Sequence, residues 1–287
     1  MLALACPICR KPLHTDSLTC EHDHAFHQQD GVLSLLTPQF AAQLDAFAKF
    51  FQADRIAQHY PTLPPSAYTQ LPFGDSVRND PEWRARQIDL SLILKLLPAG
   101  KASRVLDVGA WNGWLSHQLA QRGHDVTAIS YFADAQDGLG ARQFYPNATW
   151  RAVQMDECEL ELIRDEFDLV VLNRCVQFSP SPCAQVRQAQ ARVAKSGQLV
   201  MTGLAFYNDA RAHMARIHQR QHAFKAQHGI DLFLRPTRGY LDDHDRQQFA
   251  ALGLQLRTHF AYWLGNIKAW LMPSRASLCY ATWSNAA

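Results

Sequence analysis

Residues near the amino terminus have the types and the spacing of metal ligands. Two residues separate Cys6 from Cys9 and ten separate Cys9 from Cys20, with histidines shortly after. Three thiolates and one imidazole can complete a tetrahedral zinc shell, because a tight Cys-x-x-Cys turn brings two sulfurs to one ion. About 36 residues bury too little apolar surface to fold alone, so we expect a structural zinc, with free thiols as the alternative. The fourth ligand is one of three histidines: His22, His24 and His27.

A second stretch, VLDVGAWNGWLSHQLA at residues 105–120, has the pattern of a strand, a turn and a helix. Glycines in such a turn let the backbone approach a nucleotide-type cofactor, because a Cβ would occupy space that the ligand needs. Gly109 and Gly113 are in place, but Trp111 stands where a glycine is expected. Its indole must lie over a cofactor, turn away from it, or fill the pocket.

Composition limits the class of protein. The chain has 287 residues, 47% of them hydrophobic, which is enough for one large core and a small appendage. A net charge of +2 argues for neither nucleic acid nor an anionic surface as partner. Cys6 and Pro7 come too early for a secretory signal, and no apolar run is long enough for a membrane span, so we expect a cytoplasmic protein. Of the seven cysteines, three are clustered and four are scattered, and such an odd, scattered set argues against a disulfide framework.

The elements that position these residues follow from hydrophobic patterning. From residue 104 onward, apolar runs alternate with helical patterns, which predicts a doubly wound, mostly parallel sheet. Ligands bind beyond the carboxyl ends of such strands, where the turn at 109–113 falls. We predict strands at 104–108, 124–130, 149–154, 167–172, 198–202, 254–259 and 277–282.

Three regions are expected along the chain: a zinc head at 1–36, a connector at 37–100 and a cofactor-binding domain at 101–287. In the connector, an apolar stripe from Phe40 to Phe51 predicts a docking helix, prolines predict irregular structure at 61–75, and Asp80 is placed to cap a helix that starts at Pro81. A helical lid is expected at about 205–240.

Three stretches resemble class I S-adenosylmethionine-dependent methyltransferases of the type 11 group. They are VLDVGAWNGWL, MDECELELIRDEFDLVVLN and KSGQLVMTG, which together span about residues 101–205. The resemblance implies a Rossmann-like α/β fold, with a mostly parallel seven-stranded sheet and an antiparallel edge strand. It implies S-adenosylmethionine as the cofactor and does not identify the methyl acceptor.

The head resembles the zinc ribbons of Trm112-like proteins and of some bacterial rRNA methyltransferases. Phe26 and the run Asp30-Gly31-Val32 follow His24 at the spacing of those heads, so the resemblance selects His24 over the other histidines. The expected zinc ligands are therefore Cys6, Cys9, Cys20 and His24. A protein partner bound through this head is one expectation.

The resemblance also assigns cofactor contacts. Asp156 falls where the family contacts the adenine amine, although it could equally cap the next helix. The expected contact residues are Asp107, Gly109, Ala110, Trp111, Asn112, Gly113, Ser130, Tyr131, Met155, Asp156, Asn173 and Gln177. No general base is assigned.

Two residues depart from the family pattern. Trp111 replaces a glycine, and Ser130-Tyr131 stands where the family places a carboxylate for the ribose hydroxyls; the nearest acid after the strand is Asp134. A neutral hydroxyl makes a weaker bond than a carboxylate does. We therefore expect weak S-adenosylmethionine binding, or loss of it if Trp111 fills the pocket.

The sequence is compatible with three functions. The first is methyl transfer to a small-molecule, lipid-linked or glycan acceptor. The second is an altered or inactive methyltransferase fold that serves a protein partner. The third is RNA methylation, which the resemblance of the head to those of rRNA methyltransferases suggests and which the head disfavours because it has no basic footprint. Residues 211–238 carry six Arg or Lys against one acid and could meet phosphate, but we expect them to form a lid over the acceptor pocket and not an RNA-binding face.

Overall fold

The amino-terminal third contains short strands and two helices. The computed structural model describes residues 2–14, 16–57 and 62–285. Its first elements are β1 (Leu13–His14), β2 (Thr19–Cys20), β3 (His27–Gln29), β4 (Val32–Ser34), α1 (Pro38–Ala57) and α2 (Pro81–Leu96). Phe40, Leu44 and Phe47 of α1 are buried, as the docking-helix prediction requires. Asp80 caps α2 by accepting a bond from the Glu82 N–H at 2.8 Å.

The predicted irregular segment begins at Pro61, which lies outside the described residues. From there, short 3₁₀ turns at Pro65–Gln70 and Asp75–Val77 lead to α2.

Strands and helices then alternate, as the sequence pattern predicts. The elements are β5 (Arg104–Val108), α3 (Trp114–Ala120), β6 (Asp125–Ser130), β7 (Arg151–Gln154), β8 (Phe167–Asn173), α4 (Pro182–Gln190), β9 (Val193–Tyr207), α5 (Arg211–His228), β10 (Leu241–Asp242), α6 (Asp243–Ala251), β11 (Gln255–Arg257), α7 (Trp263–Leu271) and β12 (Ala276–Ser284). Buried residues of α2 and α3 pack on one face of the sheet, and those of α4 and α6 pack on the other. The fold is therefore the expected doubly wound α/β fold.

The sheet is larger than expected. Among the described residues it has ten strands in the order β11-β12-β9-β8-β5-β6-β7-β4-β3, with β10 beside β9. The seven predicted strands are consecutive in it, from the edge strand β11 to β7. The antiparallel strand is expected at the edge, but β12, which is antiparallel to both of its neighbours, is next to the edge and β11 covers it. The expectation of seven strands is wrong because two amino-terminal strands continue the sheet past β7 and one short strand adds to β9.

The amino-terminal strands join the sheet through β4, which pairs with β7 in parallel, Val32 opposite Ala152. This pairing covers the edge of β7, which would otherwise present free backbone groups. Leu4 also pairs with Ile163, and the Ala5 N–H donates to the Leu162 carbonyl at 2.7 Å. The cysteine-containing segment is thus joined by backbone bonds to the domain that follows.

None of the helices within residues 2–14, 16–57 and 62–285 has the length and hydrophobicity of a membrane span.

Candidate cofactor site

The turn after β5 has a backbone that requires glycine at two positions. Gly109 and Gly113 have φ values of +76° and +77°, a region that side-chain-bearing residues rarely occupy. A Cβ on Gly109 would lie 2.7 Å from Cys175 Cβ, and one on Gly113 would lie 2.5 Å from the Trp150 ring. The turn is therefore packed tightly against the end of β8 and against Trp150.

Asp107 holds this turn together from inside. It is fully buried, accepts a hydrogen bond from the Ser116 hydroxyl at 2.7 Å and is 3.5 Å from the Asn173 amide nitrogen. Burial raises the pKa of Asp107 to about 6, against the lowering effect of these bonds. The residue joins β5 to the start of α3 and to the end of β8.

Trp111 turns toward α2. Its ring stacks on Trp83 with centroids 5.6 Å apart, and the Arg86 guanidinium lies 5.0 Å from the centroid of each ring. Its φ of +53° is the left-handed conformation that a glycine would adopt there at no cost. The turn thus keeps the glycine conformation, and the indole packs on a helix outside the turn.

We expect Trp111→Gly to lower stability and to change cofactor affinity little. The substitution relieves about 1 kcal/mol of backbone strain but removes an aromatic stack and its buried surface, about 2–3 kcal/mol. Thermal unfolding and calorimetry with S-adenosylmethionine measure both effects, with Trp111→Phe as the control that retains a ring. A tenfold gain in affinity would show instead that the indole obstructs the pocket.

A carboxyl group lies at the carboxyl-terminal end of β6, although the residue of the strand at that end is Ser130. Glu157, from the loop after β7, is buried, and its Oε1 accepts a bond from the Tyr131 N–H at 3.2 Å. The Ser130 hydroxyl is also in hydrogen-bonding reach of this carboxyl group. Burial raises the pKa of Glu157 to about 8, against the lowering effect of the Tyr131 N–H. Glu157 was not assigned from the sequence. The only signal for it in the sequence is that it is a second acid next to Asp156.

The alternative acid, Asp134, is already engaged in its own loop. Its Oδ1 accepts bonds from the N–H groups of Gln136 and Asp137 at 3.0 and 2.7 Å. Such a turn-forming carboxylate is committed to local structure.

Both carboxylate oxygens of Asp156 have partners within the chain. Oδ1 accepts from the Cys158 N–H at 2.9 Å and closes a turn, and Oδ2 accepts from Arg235. Asp156 does not cap the next helical segment, because the 3₁₀ turn Leu160–Leu162 follows Glu159 and has no side-chain cap. The Arg235 guanidinium lies 4.3 Å from the centroid of the Phe40 ring of α1. Thr237 donates to the carbonyls of Gln177 and Ser179 at 3.1 and 3.2 Å. Residues 229–238, here called the strap, therefore cross the carboxyl edge of the sheet.

The remaining expected contact residues lie around the same edge. Most are buried, whereas Tyr131 and Gln177 are half-buried: Ala110, Asn112, Tyr131, Met155, Asn173 and Gln177. Among the described residues, the Asn112 Nδ2 and Gln177 Oε1 atoms are buried without a hydrogen-bond partner. Orphaned polar atoms at the mouth of a glycine turn are suited to a polar ligand. The residues present fit a cofactor with an amino-acid end and a ribose.

The four expected zinc ligands come together. The Sγ and Nδ1 atoms of Cys6, Cys9, Cys20 and His24 all lie within 4.8 Å of one another, the one such cluster found among the described residues. Cys9 Sγ is 3.5 Å from Cys20 Sγ, and His24 Nδ1 is 3.4 Å from Cys20 Sγ and 3.5 Å from Cys6 Sγ. Ligands of a tetrahedral zinc ion lie roughly 3.4–3.8 Å apart, so the donor set fits zinc. His22 and His27 are exposed and lie outside the cluster.

Comparison with known proteins places the central part of the chain in a family. Residues 82–255 match the model of a methyltransferase domain. Residues of this chain are 34% identical over 101 positions to the tRNA1(Val) (adenine(37)-N6)-methyltransferase of Cronobacter sakazakii. They are 29% identical over 151 positions to the malonyl-[acyl-carrier protein] O-methyltransferase of Enterobacter lignolyticus. These alignments cover 33% and 51% of this chain, and 41% and 59% of the relatives.

Two solved structures align with this chain at low identity. An O-methyltransferase family protein from Burkholderia thailandensis has a TM-score of 0.48 at 14% identity, over 85% of this chain and 72% of that one. A phosphoethanolamine N-methyltransferase 2 from Haemonchus contortus has a TM-score of 0.48 at 14% identity, over 70% and 53%.

The family assignment depends on the domain match, which covers more than half of the chain and includes the turn, Glu157 and Asp156. The match leaves the cysteine cluster outside, so the resemblance of the head to zinc ribbons is not supported by it. The chain belongs to the methyltransferase domain family, whose members of this fold use S-adenosylmethionine.

Proposed function

We propose that the protein transfers a methyl group from S-adenosylmethionine to a small-molecule, lipid-linked or glycan acceptor. The observation that carries this proposal is the convergence of Asp107, Asp156 and Glu157 on a glycine turn at the carboxyl ends of β5, β6 and β7. Buried carboxyl groups are costly, and a cluster of them beside a ligand-binding turn is typical of a functional site. When bound, the cofactor supplies an electrophilic methyl group on a sulfonium.

The chain contributes position and exclusion of water. In-line methyl transfer depends mainly on alignment, so a base is needed only if the acceptor must lose a proton. The turn at 109–113 would hold the amino-acid end, and the strap would exclude water from the carboxyl edge of the sheet. The turn and the strap have binding and shielding roles, and no residue is proposed to take part in the chemical step.

Glu157 is proposed to replace the missing ribose carboxylate. A carboxylate at the end of β6 accepts hydrogen bonds from both ribose hydroxyls, and Glu157 brings one to that place from the neighbouring strand connection. Its contacts with Tyr131 N–H and Ser130 hold it at the β6 terminus. On this proposal the affinity depends on Glu157 as well as on Ser130, and the expectation of weak binding stays a prediction.

Arg235 is proposed to occupy Asp156 until the cofactor displaces it. If the adenine amine uses Asp156 Oδ2, the Arg235 bond must first break. We expect Arg235→Ala to raise affinity for S-adenosylmethionine about fivefold, the equivalent of about 1 kcal/mol for a partly exposed charged bond. Calorimetry on the purified protein measures this, with Arg211→Ala as the control, since Arg211 pairs with Asp209 on the surface.

The same measurement tests the proposed function. Wild-type protein should release or absorb heat with S-adenosylmethionine and with S-adenosylhomocysteine. If neither the wild type nor Arg235→Ala binds either ligand, the altered, non-catalytic alternative replaces our proposal. If Arg235→Ala binds more weakly than the wild type, Arg235 contacts the cofactor directly.

We also propose a structural zinc ion in the head. Four ligands leave no open position for catalysis, and the ion would fix the β1–β2 hairpin. Arg10 of the head pairs with Glu159 of the domain at 2.9 Å, so the head is held beside the loop that carries Glu157.

RNA is the second candidate acceptor, since one relative is named as a tRNA methyltransferase. The ion pairs of residues 211–238 argue against a basic RNA-binding face. Five of the six cations pair with acids of this chain: Arg211 with Asp209, Arg220 with Asp54, Lys225 with Asp231, Arg235 with Asp156 and Arg238 with Asp242. Paired cations offer little net charge to phosphates, so the small-molecule or lipid-linked acceptor is favoured.

A further inference from the structure

The turn at Phe260–Tyr262 and helix α7 expose large apolar side chains. Five of them are between 62% and 83% exposed, whereas the inner face of the helix buries only Ala269: Phe260, Trp263, Leu264, Trp270 and Leu271. Monomeric proteins rarely present so many neighbouring apolar side chains without a partner. We call Phe260–Met272 the apolar ridge.

Polar contacts fix the ridge with its apolar side outward. The Asn266 side-chain amide donates to the Leu278 carbonyl at 2.9 Å and accepts from the Leu278 N–H at 2.8 Å. The Asp209 N–H donates to the Pro273 carbonyl at 2.9 Å just after the helix. These bonds hold α7 against β12, so exposure of the tryptophans is part of the folded arrangement.

The chain segment that carries the ridge has charged residues of one sign. From Arg246 to the carboxyl terminus the sequence contains no Asp or Glu, and it contains four cations, Arg246, Arg257, Lys268 and Arg275. Arg275 and Arg216 line a cleft of about 370 Å³ beside α7, together with Tyr207, Tyr262 and Asn266. Tryptophan rings beside cations are suited to the boundary between hydrocarbon and anionic headgroups.

We propose that the apolar ridge docks on a bilayer that contains anionic lipid, with α7 lying in the interface. Its tryptophans would enter the acyl boundary while Lys268 and Arg275 meet headgroup phosphates. The ridge follows β11, which runs parallel to β9, so it begins at the same carboxyl edge of the sheet as the candidate cofactor site, several strands away from it. The proposal is independent of methyl transfer, because it concerns a surface outside the cofactor residues.

Vesicle co-sedimentation of the full chain tests this surface. Wild-type protein should bind phosphatidylcholine vesicles that contain phosphatidylglycerol, and the double variant Trp263→Glu/Trp270→Glu should bind at least about tenfold more weakly. The matched control is Ile56→Glu, because Ile56 is 74% exposed on α1, away from the ridge. Circular dichroism checks that each variant folds. Equal binding by wild type and double variant, or none by the wild type, overturns the proposal.

Two further experiments test the charge of the apolar ridge and its self-association. Lys268→Glu/Arg275→Glu should lose affinity for phosphatidylglycerol vesicles by roughly tenfold or more, in a salt-dependent manner, and pure phosphatidylcholine should bind the wild type weakly. A second copy of the chain is the rival occupant of the ridge. If sedimentation shows a dimer that the double tryptophan variant converts to a monomer, and vesicles are not bound, the second copy replaces the bilayer.

Discussion

Glu157→Gln is expected to weaken S-adenosylmethionine binding by one to two decades at pH 9. A charged carboxylate that accepts hydrogen bonds contributes about 1.5–3 kcal/mol more than an unmade bond, and glutamine keeps the size of the side chain without the charge. Isothermal calorimetry at pH 9 measures the difference, since Glu157 is then ionised in the free protein as well.

The matched control is Asp134→Asn, which removes the alternative acid of the same region. Because Asp134 bonds to backbone N–H groups of its own loop, we expect its loss to change affinity less than threefold. If Asp134→Asn weakens binding more than Glu157→Gln does, Asp134 is the ribose acceptor and our assignment of Glu157 is wrong.

The pH dependence of binding should distinguish a carboxylate from a packing role. Burial raises the pKa of Glu157 to about 8, so at pH 7 the free protein holds this group protonated. Ribose hydroxyls favour the charged form, and affinity should therefore rise between pH 7 and pH 9, by up to about tenfold. Glu157→Gln should lack this rise. The amino group of the ligand titrates identically with both proteins and cancels in the comparison.

The Glu157 carboxyl group also predicts how the free energy of unfolding changes with pH. The native state keeps the Glu157 proton up to pH of about 8, whereas the unfolded chain releases it near its ordinary value of 4.5. The unfolded state binds fewer protons in this window, so the free energy of unfolding should fall as pH rises from 4.5 to 8. Urea unfolding of Glu157→Gln should show a shallower fall than the wild type.

Ser130→Asp would restore the family residue at the end of β6, and the structure predicts that this does not help. A second carboxylate beside Glu157 adds like-charge repulsion in a buried place. As a single substitution, Ser130→Asp should bind S-adenosylmethionine no better than the wild type does. Combined with Glu157→Gln, it should recover affinity.

The sequence predicts those parts of the fold that depend on local patterns. Strands β5 to β9 are apolar runs of the right length, and the glycine turn is a short motif, so both could be predicted. The sequence could not reveal that β4 pairs with β7, because three residues carry little pattern and the pairing spans more than a hundred positions.

The residues that the sequence could not assign act through distant partners. Arg235 meets Asp156 across 79 positions. Glu157 and Asp156 are adjacent acids in the sequence. The conformation of the loop after β7 directs the Glu157 side chain to Tyr131 and the Asp156 side chain to Arg235. Likewise, residues 211–238 contain six cations and one acid in the sequence, whereas acids from outside this segment, such as Asp54 and Asp242, pair with several of the cations in the fold. The composition of a segment does not show which distant residues pair with it.

Removal of the proposed zinc ligand His24 is expected to produce a large loss of structure in the head. A structural zinc site contributes on the order of 10 kcal/mol to the folding of a small segment. The segment before β3 also bonds to the domain through Leu4, Ala5 and Arg10, so part of it should stay in place without the ion. We expect His24→Ala and Cys9→Ser to reduce metal content from about one zinc per chain to well below that, with a lower melting temperature. Elemental analysis and thermal unfolding measure both quantities.

The controls are the two neighbouring histidines and a cysteine outside the cluster. His22 and His27 are exposed, and Cys183 donates to Gln248 elsewhere in the domain, so His22→Ala, His27→Ala and Cys183→Ser should retain zinc. Loss of metal in His22→Ala together with retention in His24→Ala would show that the ligand set is wrong. If zinc is retained in every variant, the proposed ligand set is wrong. If zinc is absent from the wild type, the thiols are free and the head is held by the backbone bonds of Leu4 and Ala5 to Ile163 and Leu162 instead.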